Sequence, residues 1–428
     1  MQANVYKRKT CRLCGDQNIK LVVPLEPIPI AEKYLTEDQL DGENYLYGID
    51  LYMCEACGHV QIIDVIDPSV LWSANFTFRS GQAQIIIDHL FDVAAKICRN
   101  YDIEQNSFVI DVGSNDGTLL KGFKKQGMRV LGIDPAETIA TESIAGGIPT
   151  VIDFLTYESA QAITEEHGKA QVVCCFNTFA HADDLTQLAG SIESLLSPEG
   201  IFVFEVSYLV SIIDDMLIGT IIHEHLSHHS AKPLATFLDK NGMELVHVER
   251  NAFQGGSLIG VAQKMGGSRE VQPCVSELIQ YEIDNGYDKP TSVRTLTDRL
   301  ADLRKDMSVY MSQWNREGAV IAGYGAARSG PTLIAQLKIG KAISFIVDDH
   351  PEKVGRYTPG DHIKVLPTKE LLERMPDHTL VLAWIHARTI IGNNLEYLDR
   401  GGNFVICLPE VRLIDQTNVE AYLSQGPI

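Results

Sequence analysis

The chain has 428 residues, of which 45% are hydrophobic and 21% are charged, and its net charge is −20. A chain of this length is expected to form two or three domains, because one hydrophobic core stops growing below this size. The negative charge argues against nucleic acid or an anionic membrane as partner, since phosphate binding needs clustered cations. Without a membrane-spanning apolar run or a signal core at its start, the chain is predicted to be cytoplasmic.

Two C-x-x-C pairs open the chain, one at Cys11 and Cys14 and the other at Cys54 and Cys57. Four thiolates from two tight turns suit a tetrahedral zinc ion and leave no position open for catalysis. A redox pair or free thiols remain the alternative. The pattern predicts a structural zinc ion held by these four cysteines, in a module that spans residues 1–75.

A helix and then alternating strands and helices are predicted after this module. The apolar positions of residues 76–100 recur at helical spacing. Alternation of apolar runs with helical stretches indicates a doubly wound parallel sheet, and therefore a Rossmann-like central domain over residues 76–268. Its strands are predicted at Phe108–Val112, Val130–Ile133, Val172–Phe176 and Ile201–Val206.

A helical linker over residues 269–317 and a second Rossmann-like domain over residues 318–428 complete the predicted architecture. The overall fold class is α/β, with a central Rossmann-like domain between the small zinc module and the C-terminal domain. Ligands are expected in the cleft between the domains. The C-terminal elements are predicted at residues 319–322, 329–337, 343–347, 380–384 and 403–408, the second of them a helix and the others strands.

The segment from Asp111 to Gly117 begins near the end of the first central strand and reads D-x-G-x-x-x-G. A pyrophosphate-binding turn would read G-x-G-x-x-G, so a nicotinamide-binding domain is the weaker alternative. Asp134 ends the next strand, where a carboxylate can accept both ribose hydroxyls. Asp153 and Phe154 follow a third element and could cover an adenine. The order of these groups predicts S-adenosylmethionine as cofactor.

Residues 220–230 read TIIHEHLSHHS, an unusual density of histidine. The zinc-protease pattern H-E-x-x-H fails, because it would need histidine at Ser227. A metal site using His225 with His228 or His229 stays open, as does a solvated loop. The preferred interpretation is a general base, with Glu224 or another carboxylate orienting an imidazole.

A second polar patch runs from Asn177 to Asp184, directly after the strand that ends at Phe176. Doubly wound folds place their chemistry at the carboxyl ends of such strands, so His181 could face the same pocket as His225. For Asp183 and Asp184, a role at the start of a helix is equally consistent.

The chain resembles the sugar C-methyltransferase family, which acts on nucleotide-linked 4-keto-deoxysugars. The likeness extends over nearly the whole chain and is carried by the two cysteine knuckles, DVGSNDGTLL, the His-Glu-His motif, Gly255–Leu258, GYGAARSG and the segment from Val347 to Gly360. It implies that a base removes the hydrogen on carbon 3 beside the keto group, and that the resulting enolate takes the methyl group of S-adenosylmethionine. It also implies a nucleotide diphosphate keto sugar as partner.

The resemblance assigns catalysis to His225 as the base, with Glu224 and His181 assisting. Cofactor binding is predicted at Asp111, Gly113, Asn115, Gly117, Asp134, Asp153, Phe154 and Asn177. Substrate binding is predicted at Phe76, Phe78, Arg79, Arg328, Lys353 and Arg356, the last three as cations for the diphosphate.

Departures from the family pattern are concentrated around the predicted substrate pocket. Ile222 replaces a tyrosine, Gln254 a histidine, Ile259 an arginine and Ile385 an asparagine. These replacements predict an altered acceptor rather than an inactive enzyme. The alternatives are a methyltransferase for a different keto acceptor and a non-catalytic S-adenosylmethionine-binding zinc scaffold.

Overall fold

The computed structural model describes residues 4–72 and 77–424. The N-terminal module is built from short strands around the two cysteine knuckles. Tyr34 packs with the apolar strand residues into its core, and the module ends in a one-turn helix with Pro68 at its first position. Its elements are β1 (Val5–Lys7), β2 (Ile19–Val23), β3 (Leu51–Cys54), β4 (Val60–Ile62), β5 (Asp64–Ile66) and α1 (Pro68–Leu71).

The central domain is a seven-stranded sheet covered by helices. Its core strand reads FVIDV and is buried at all five positions, as expected of a parallel strand covered on both faces. The elements are α2 (Gln84–Asn100), β6 (Phe108–Val112), α3 (Thr118–Lys125), β7 (Arg129–Ile133), α4 (Glu137–Ala145), β8 (Thr150–Val151), α5 (Tyr157–His167), β9 (Ala170–Phe176), α6 (Leu185–Leu195), β10 (Leu196–Ser207), α7 (Leu209–Asp214), β11 (Ser227–His228), α8 (Ala231–Lys240), β12 (Met243–Asn251) and β13 (Ser257–Lys264).

The strand order of this sheet is β12-β13-β10-β9-β6-β7-β8. Strands β10, β9, β6, β7 and β8 are parallel, whereas β13 and β12 are antiparallel additions at one edge. All four predicted strands are present, although β10 starts earlier than predicted, at Leu196. The helix predicted from residue 76 begins at Gln84, because residues 77–83 run through extended backbone and a short 3-10 turn.

One strand of the central part of the chain belongs to another sheet. β11 pairs with β4, with Ser227 opposite Gln61 and His228 opposite Val60, so the four-stranded sheet of the N-terminal module has the order β11-β4-β3-β2. The segment that carries His225 is therefore attached to the N-terminal module.

Two helices, α9 (Pro273–Asp284) and α10 (Pro290–Glu317), connect the central and C-terminal domains. Each starts with proline, whose fixed φ suits a first helical position. The C-cap of α10 is Gly318, which has a φ of 68° in the left-handed region that ends many helices. The apolar face of α10 packs against β2 and α7 and against the C-terminal domain, so this helix contacts parts of all three units.

The C-terminal domain is a six-stranded sheet of order β16-β15-β14-β17-β18-β19, parallel except for the last strand. The predicted strand at residues 319–322 lies at 321–324, and the one at 380–384 ends at Val381 because Trp384 starts a 3-10 turn. The elements are β14 (Ile321–Tyr324), α11 (Gly330–Leu337), β15 (Ile343–Val347), β16 (Val365–Leu366), α12 (Glu370–Arg374), β17 (His378–Val381), α13 (Ala387–Asn393), α14 (Leu395–Asp399), β18 (Asn403–Ile406), β19 (Arg412–Ile414) and α15 (Val419–Ser424).

A continuous apolar core joins the units. It contains residues of the N-terminal sheet, of α7 and the turn after it, of α10 and of the C-terminal sheet. Among the described helices, none combines the length and apolarity that crossing a bilayer requires.

Candidate active site

A large cavity of about 890 Å³ lies where the three units meet. Its wall includes Glu32 and Trp72 from the N-terminal module, His225 from the central domain, and Arg328 and Trp384 from the C-terminal domain. Small-molecule sites occupy roughly 300–1,000 Å³, so the volume is near the upper end of that range. The cavity has room for more than one small ligand.

One end of the cavity is formed by the carboxyl ends of β6 and β7. Asp134, at the end of β7, accepts hydrogen bonds from the backbone amides of Asn115 (2.8 Å) and Ala136 (2.9 Å). The turn after β6 passes through Gly113 with a φ of 76°, and a Cβ there would lie 2.2 Å from Oγ1 of Thr178. Glycine at 113 therefore keeps this turn close to the end of β9.

Asp111 lies in the same wall of the cavity, and its own carboxyl group is buried and incompletely hydrogen bonded. The residue is 3% exposed and its Oδ1 has no hydrogen-bond partner among the described residues. Burial, with Asp134 nearby, raises the pKa of Asp111 to about 8. An unsatisfied buried carboxyl group beside a cavity fits a cationic or hydroxylated ligand, and S-adenosylmethionine carries both kinds of group. The residues present thus fit this cofactor.

The other predicted cofactor residues are distributed unevenly. Asn115, Asp153, Phe154 and Asn177 line the cavity, and Phe154 is 43% exposed at its edge. Gly117 does not line it. Its φ is 76° and a Cβ would lie 2.6 Å from Oγ of Ser143, so this glycine serves the packing of α3 against α4.

Two imidazoles face each other at the centre of the cavity. The rings of His181 and His225 stack with a centroid distance of 5.2 Å and an interplanar angle of 10°. Trp72 lies beside His181, with 5.0 Å between ring centroids. Burial, helped by the positive charge of Arg328, lowers the pKa of His225 to about 4. Burial also lowers the pKa of His181 well below its usual value. Both rings are therefore neutral at pH 7.

The orientation of His225 differs from the prediction. Nδ1 of His225 lies 2.6 Å from the backbone carbonyl oxygen of Thr220, which can only accept a hydrogen bond, so Nδ1 carries the proton and Nε2 the lone pair. The prediction that Glu224 orients this imidazole is wrong. Glu224 instead accepts a hydrogen bond from Nη2 of Arg328 at 3.1 Å, because neighbouring side chains of this non-helical turn point in different directions.

The remaining histidines of the motif are buried, which contradicts the solvated-loop alternative. His223, His228 and His229 are 1%, 2% and 0% exposed. His223 Nε2 lies 3.2 Å from the carbonyl oxygen of Tyr47, in the N-terminal module. Among the described residues, the only group of three or more potential metal ligands close enough for one ion is the cysteine cluster.

The four cysteines of the two knuckles converge as predicted. Their sulfur atoms all lie within 4.8 Å of one another, with 3.6 Å between Cys11 and Cys57 and 3.5 Å between Cys14 and Cys54. Tetrahedral zinc with Zn–S bonds of about 2.3 Å would place its sulfur ligands roughly 3.8 Å apart. The cluster therefore fits a structural zinc ion.

Comparisons with known proteins agree with this geometry. C-methyltransferase NovU of Streptomyces niveus is 31% identical over 415 residues, which cover 97% of this chain and 99% of the relative. The chain belongs to the C-methyltransferase family. Three domain families match in order: "Putative zinc binding domain" at residues 11–72, "Methyltransferase domain" at 87–248 and "C-methyltransferase C-terminal domain" at 252–409.

Solved structures that resemble this C-methyltransferase cover less than half of its chain. Magnesium protoporphyrin IX methyltransferase of Synechocystis PCC 6803 with bound S-adenosylmethionine is 16% identical and covers 43% of this chain and 86% of its own, with a TM-score of 0.33. The PH0226 protein of Pyrococcus horikoshii is 13% identical and covers 44% of this chain and 95% of its own, with a TM-score of 0.36. The family, the domain matches and the cysteine cluster show an S-adenosylmethionine-dependent C-methyltransferase with a structural zinc site.

Of the predicted substrate residues, the C-methyltransferase brings three to the cavity. Phe78, Arg328 and Lys353 line it, and Arg328 lies over the ring of Phe78 at 5.6 Å. Arg79 is instead paired with Glu142 at 2.6 Å, and Arg356 is exposed away from the cavity. Phe76 lies outside the described residues. Among the departures from the family pattern, Ile222, Gln254 and Ile385 line the cavity, whereas Ile259 does not.

Two contacts in the cavity were not predicted from the sequence. Glu32 lies in the cavity wall, with Oε1 3.5 Å from Nζ of Lys353 and 3.9 Å from Nε of Arg328. A single glutamate in a proline-rich stretch gives no signal for this position. The carbonyl group of Thr220, which orients His225, belongs to the backbone and has no sequence signal at all.

Proposed function

We propose that this C-methyltransferase methylates carbon 3 of a nucleotide-linked 4-keto-deoxysugar, with His225 as general base. The observation that carries the proposal is the state of the His225 ring. It is neutral, its Nδ1 proton is donated to the Thr220 carbonyl, and the ring lines the cavity that also contains Asp111 and Asp134. A neutral imidazole with a fixed tautomer is suited to accept a proton.

The residues of the cavity support the steps of this reaction. The proton from carbon 3 would move to Nε2 of His225, and the electron pair of the broken C–H bond would pass into the enolate beside the keto group. The negative charge of Glu224 favours the imidazolium formed and offsets part of the opposing effect of Arg328. When bound, S-adenosylmethionine supplies an electrophilic methyl group on its sulfonium. That methyl group would pass to carbon 3 of the enolate, and the electron pair of the broken S–C bond would stay on sulfur.

Charge supports a phosphorylated acceptor in an otherwise acidic chain. Arg328 and Lys353 lie in the cavity wall contributed by the C-terminal domain, where a diphosphate could pair with both cations. Glu32 and Glu224 contact the same cations and would hold them in place before the substrate arrives.

Exchange of the carbon 3 hydrogen with solvent deuterium tests this proposal without relying on methyl transfer. We expect the wild-type enzyme to catalyse exchange, followed by mass spectrometry, in at least one 4-keto-6-deoxysugar linked to uridine, thymidine or guanosine diphosphate. His225→Gln should slow exchange and methyl transfer by about 10²–10⁴-fold, the usual contribution of a general base. Calorimetric affinity for S-adenosylmethionine should be unchanged.

His247→Gln is the matched control, because His247 lies on β12 outside the cavity and is hydrogen bonded to Gln272. It should exchange at the wild-type rate. Exchange at full rate in His225→Gln would rule out this base. If the enzyme methylated a ketone of another class and no keto sugar, that class of ketone would be the acceptor and the proposed sugar substrate would be wrong.

A further inference from the structure

Arg12 is a buried cation within the first cysteine knuckle, between Cys11 and Cys14. The residue is 2% exposed, and a guanidinium stays charged at neutral pH. Nε donates to Oδ1 of Asp183 at 3.0 Å, and Nη1 donates to the backbone carbonyl of Leu226 at 3.2 Å. One guanidinium thus binds two segments that are far apart in the chain.

These two segments are the ones that carry the stacked imidazoles. Asp183 follows His181 by two residues, and Leu226 directly follows His225. The planar fork of arginine fixes the angle between its donors, so groups bound to it are held at a defined separation. Arg12 therefore links the segment of His181 to the segment of His225 through donors of fixed relative geometry.

The knuckle itself is held firmly against the strand next to the base. The backbone amide of Arg12 donates to Oε1 of Gln61 at 2.9 Å, and Gln61 on β4 lies opposite Ser227 on β11. Nη1 of Arg12 also donates to the carbonyl of Ile62 in the same strand. The cysteine cluster fixes the backbone of the knuckle, and the side chain of Arg12 extends from it to both histidine segments.

We propose that Arg12 is a positioning residue that couples the zinc knuckle to the spacing and orientation of the His181 and His225 rings. The catalytic consequence rests on the proposed function of His225, whereas the coupling of the knuckle to the two rings does not. The N-terminal module then acts on the reaction through one side chain as well as by closing the cavity.

The neighbouring Arg8 provides a matched control. Nη1 of Arg8 donates to the carbonyl of Asp183 at 2.8 Å and lies 3.1 Å from its Oδ1. No contact of Arg8 with Leu226 occurs among the described residues. Arg8→Gln therefore removes a cation from the same carboxylate and leaves the link to the His225 segment in place.

The test compares Arg12→Gln, Arg12→Lys and Arg8→Gln in the full-length, zinc-containing protein. Spectra of the protein with isotope-labelled histidine rings report on His181 and His225, whose signals are identified by their loss in His181→Gln and His225→Gln. We expect Arg12→Gln to keep its zinc, measured by atomic absorption, and its affinity for S-adenosylmethionine, while both ring signals shift. Arg8→Gln should leave the His225 signal unchanged, and Arg12→Lys should not restore it, because an ammonium group lacks the fork.

In steady-state assays with the acceptor found above, kcat of Arg12→Gln should fall by about 10–100-fold with little change in KM, as expected of misplaced catalytic groups. The proposal is wrong if both ring signals stay in place while zinc is retained, or if Arg8→Gln shifts them equally.

If Arg12→Gln does not fold, Asp183→Asn takes its place. That variant should shift the His181 signal more than the His225 signal, and an unchanged His181 signal would overturn the proposal. Unimpaired exchange in His225→Gln would show that His225 is not the base. The coupling of Arg12 to the two rings would still be tested by the ring signals.

Discussion

Burial sets the protonation state of two groups in this cavity, in opposite directions. Loss of water favours the neutral form of any ionisable group, so it lowers the pKa of His225 to about 4 and raises that of Asp111 to about 8. At pH 7 the proposed base His225 is therefore ready to accept a proton, whereas the carboxyl group of Asp111 still holds one. A cationic ligand placed beside Asp111 would favour loss of that proton.

Binding of S-adenosylmethionine should consequently depend on pH through Asp111. Its pKa of about 8 in the ligand-free protein means that the carboxyl group must ionise on binding below that pH. Affinity should therefore rise as the pH increases from 6 to 8, by up to about tenfold per unit, and then level off. Calorimetry in buffers of different ionisation enthalpy measures both the affinity and the protons released.

Asp111→Asn is the control for this prediction. In this variant, the pH dependence of the affinity that comes from the ligand's own amino group, whose ordinary pKa is about 7.7–8.0, should remain. The pH dependence that comes from the carboxyl group of Asp111 should be lost. The same pH dependence in both proteins would show that Asp111 does not ionise on binding.

At the scale of elements, the sequence predicts those strands and helices that a local residue pattern specifies. Strands such as β6 and β15 are found at their predicted bounds because continuous apolar runs between turn residues specify buried strands. β11 could not be found this way, since two residues become a strand only by pairing with Gln61 and Val60 of a distant segment. The histidine motif indicated catalysis, but its orienting contact is a backbone carbonyl that only the folded chain brings into place.

The turn that holds this carbonyl is also in contact with the C-terminal domain. Gly219 precedes Thr220, and a Cβ at 219 would lie 2.7 Å from Nε1 of Trp384 and 2.8 Å from Cβ of Ser329. Thr332 donates a hydrogen bond to the carbonyl of Ile221 at 2.9 Å. The His225 turn is thus packed against the domain that would hold the nucleotide.

Gly219→Ala should displace this turn without straining its backbone, because Gly219 is absent from the residues with positive φ. We expect turnover to fall by about 10–100-fold, since small displacements of catalytic groups have effects of this size. Affinity for S-adenosylmethionine should stay unchanged. In the control Gly392→Ala, on α13, the added methyl group meets only one atom, at 4.0 Å. Equal kcat values for the two variants would contradict the packing argument.

At the scale of the whole molecule, the segment that carries the proposed base His225 contacts all three units. By chain order it belongs to the central domain, yet β11 extends the N-terminal sheet and Glu224 is bonded to Arg328 of the C-terminal domain. The second knuckle ends at Cys57 and β4 begins at Val60, so the metal site lies next to the strand that pairs with β11. We therefore expect loss of the zinc ion to disturb the proposed base His225. The predicted cofactor residues Asp111 and Asp134 should keep their structure.

Removal of one zinc ligand tests whether the N-terminal module supports His225 but not cofactor binding. Cys14→Ser should lose the metal and lower the thermal midpoint by more than about 5 °C, because binding of structural zinc contributes directly to folding and each kcal/mol shifts the midpoint by a few degrees. Turnover should fall with the loss of order around His225, whereas the affinity for S-adenosylmethionine should persist, since Asp111 lies on β6 and Asp134 directly follows β7 in the central domain. Cys98→Ser, on α2 outside the cluster, should keep the zinc, the midpoint and the activity. A Cys14→Ser protein that loses its zinc but retains full turnover would show that the module does not support the base.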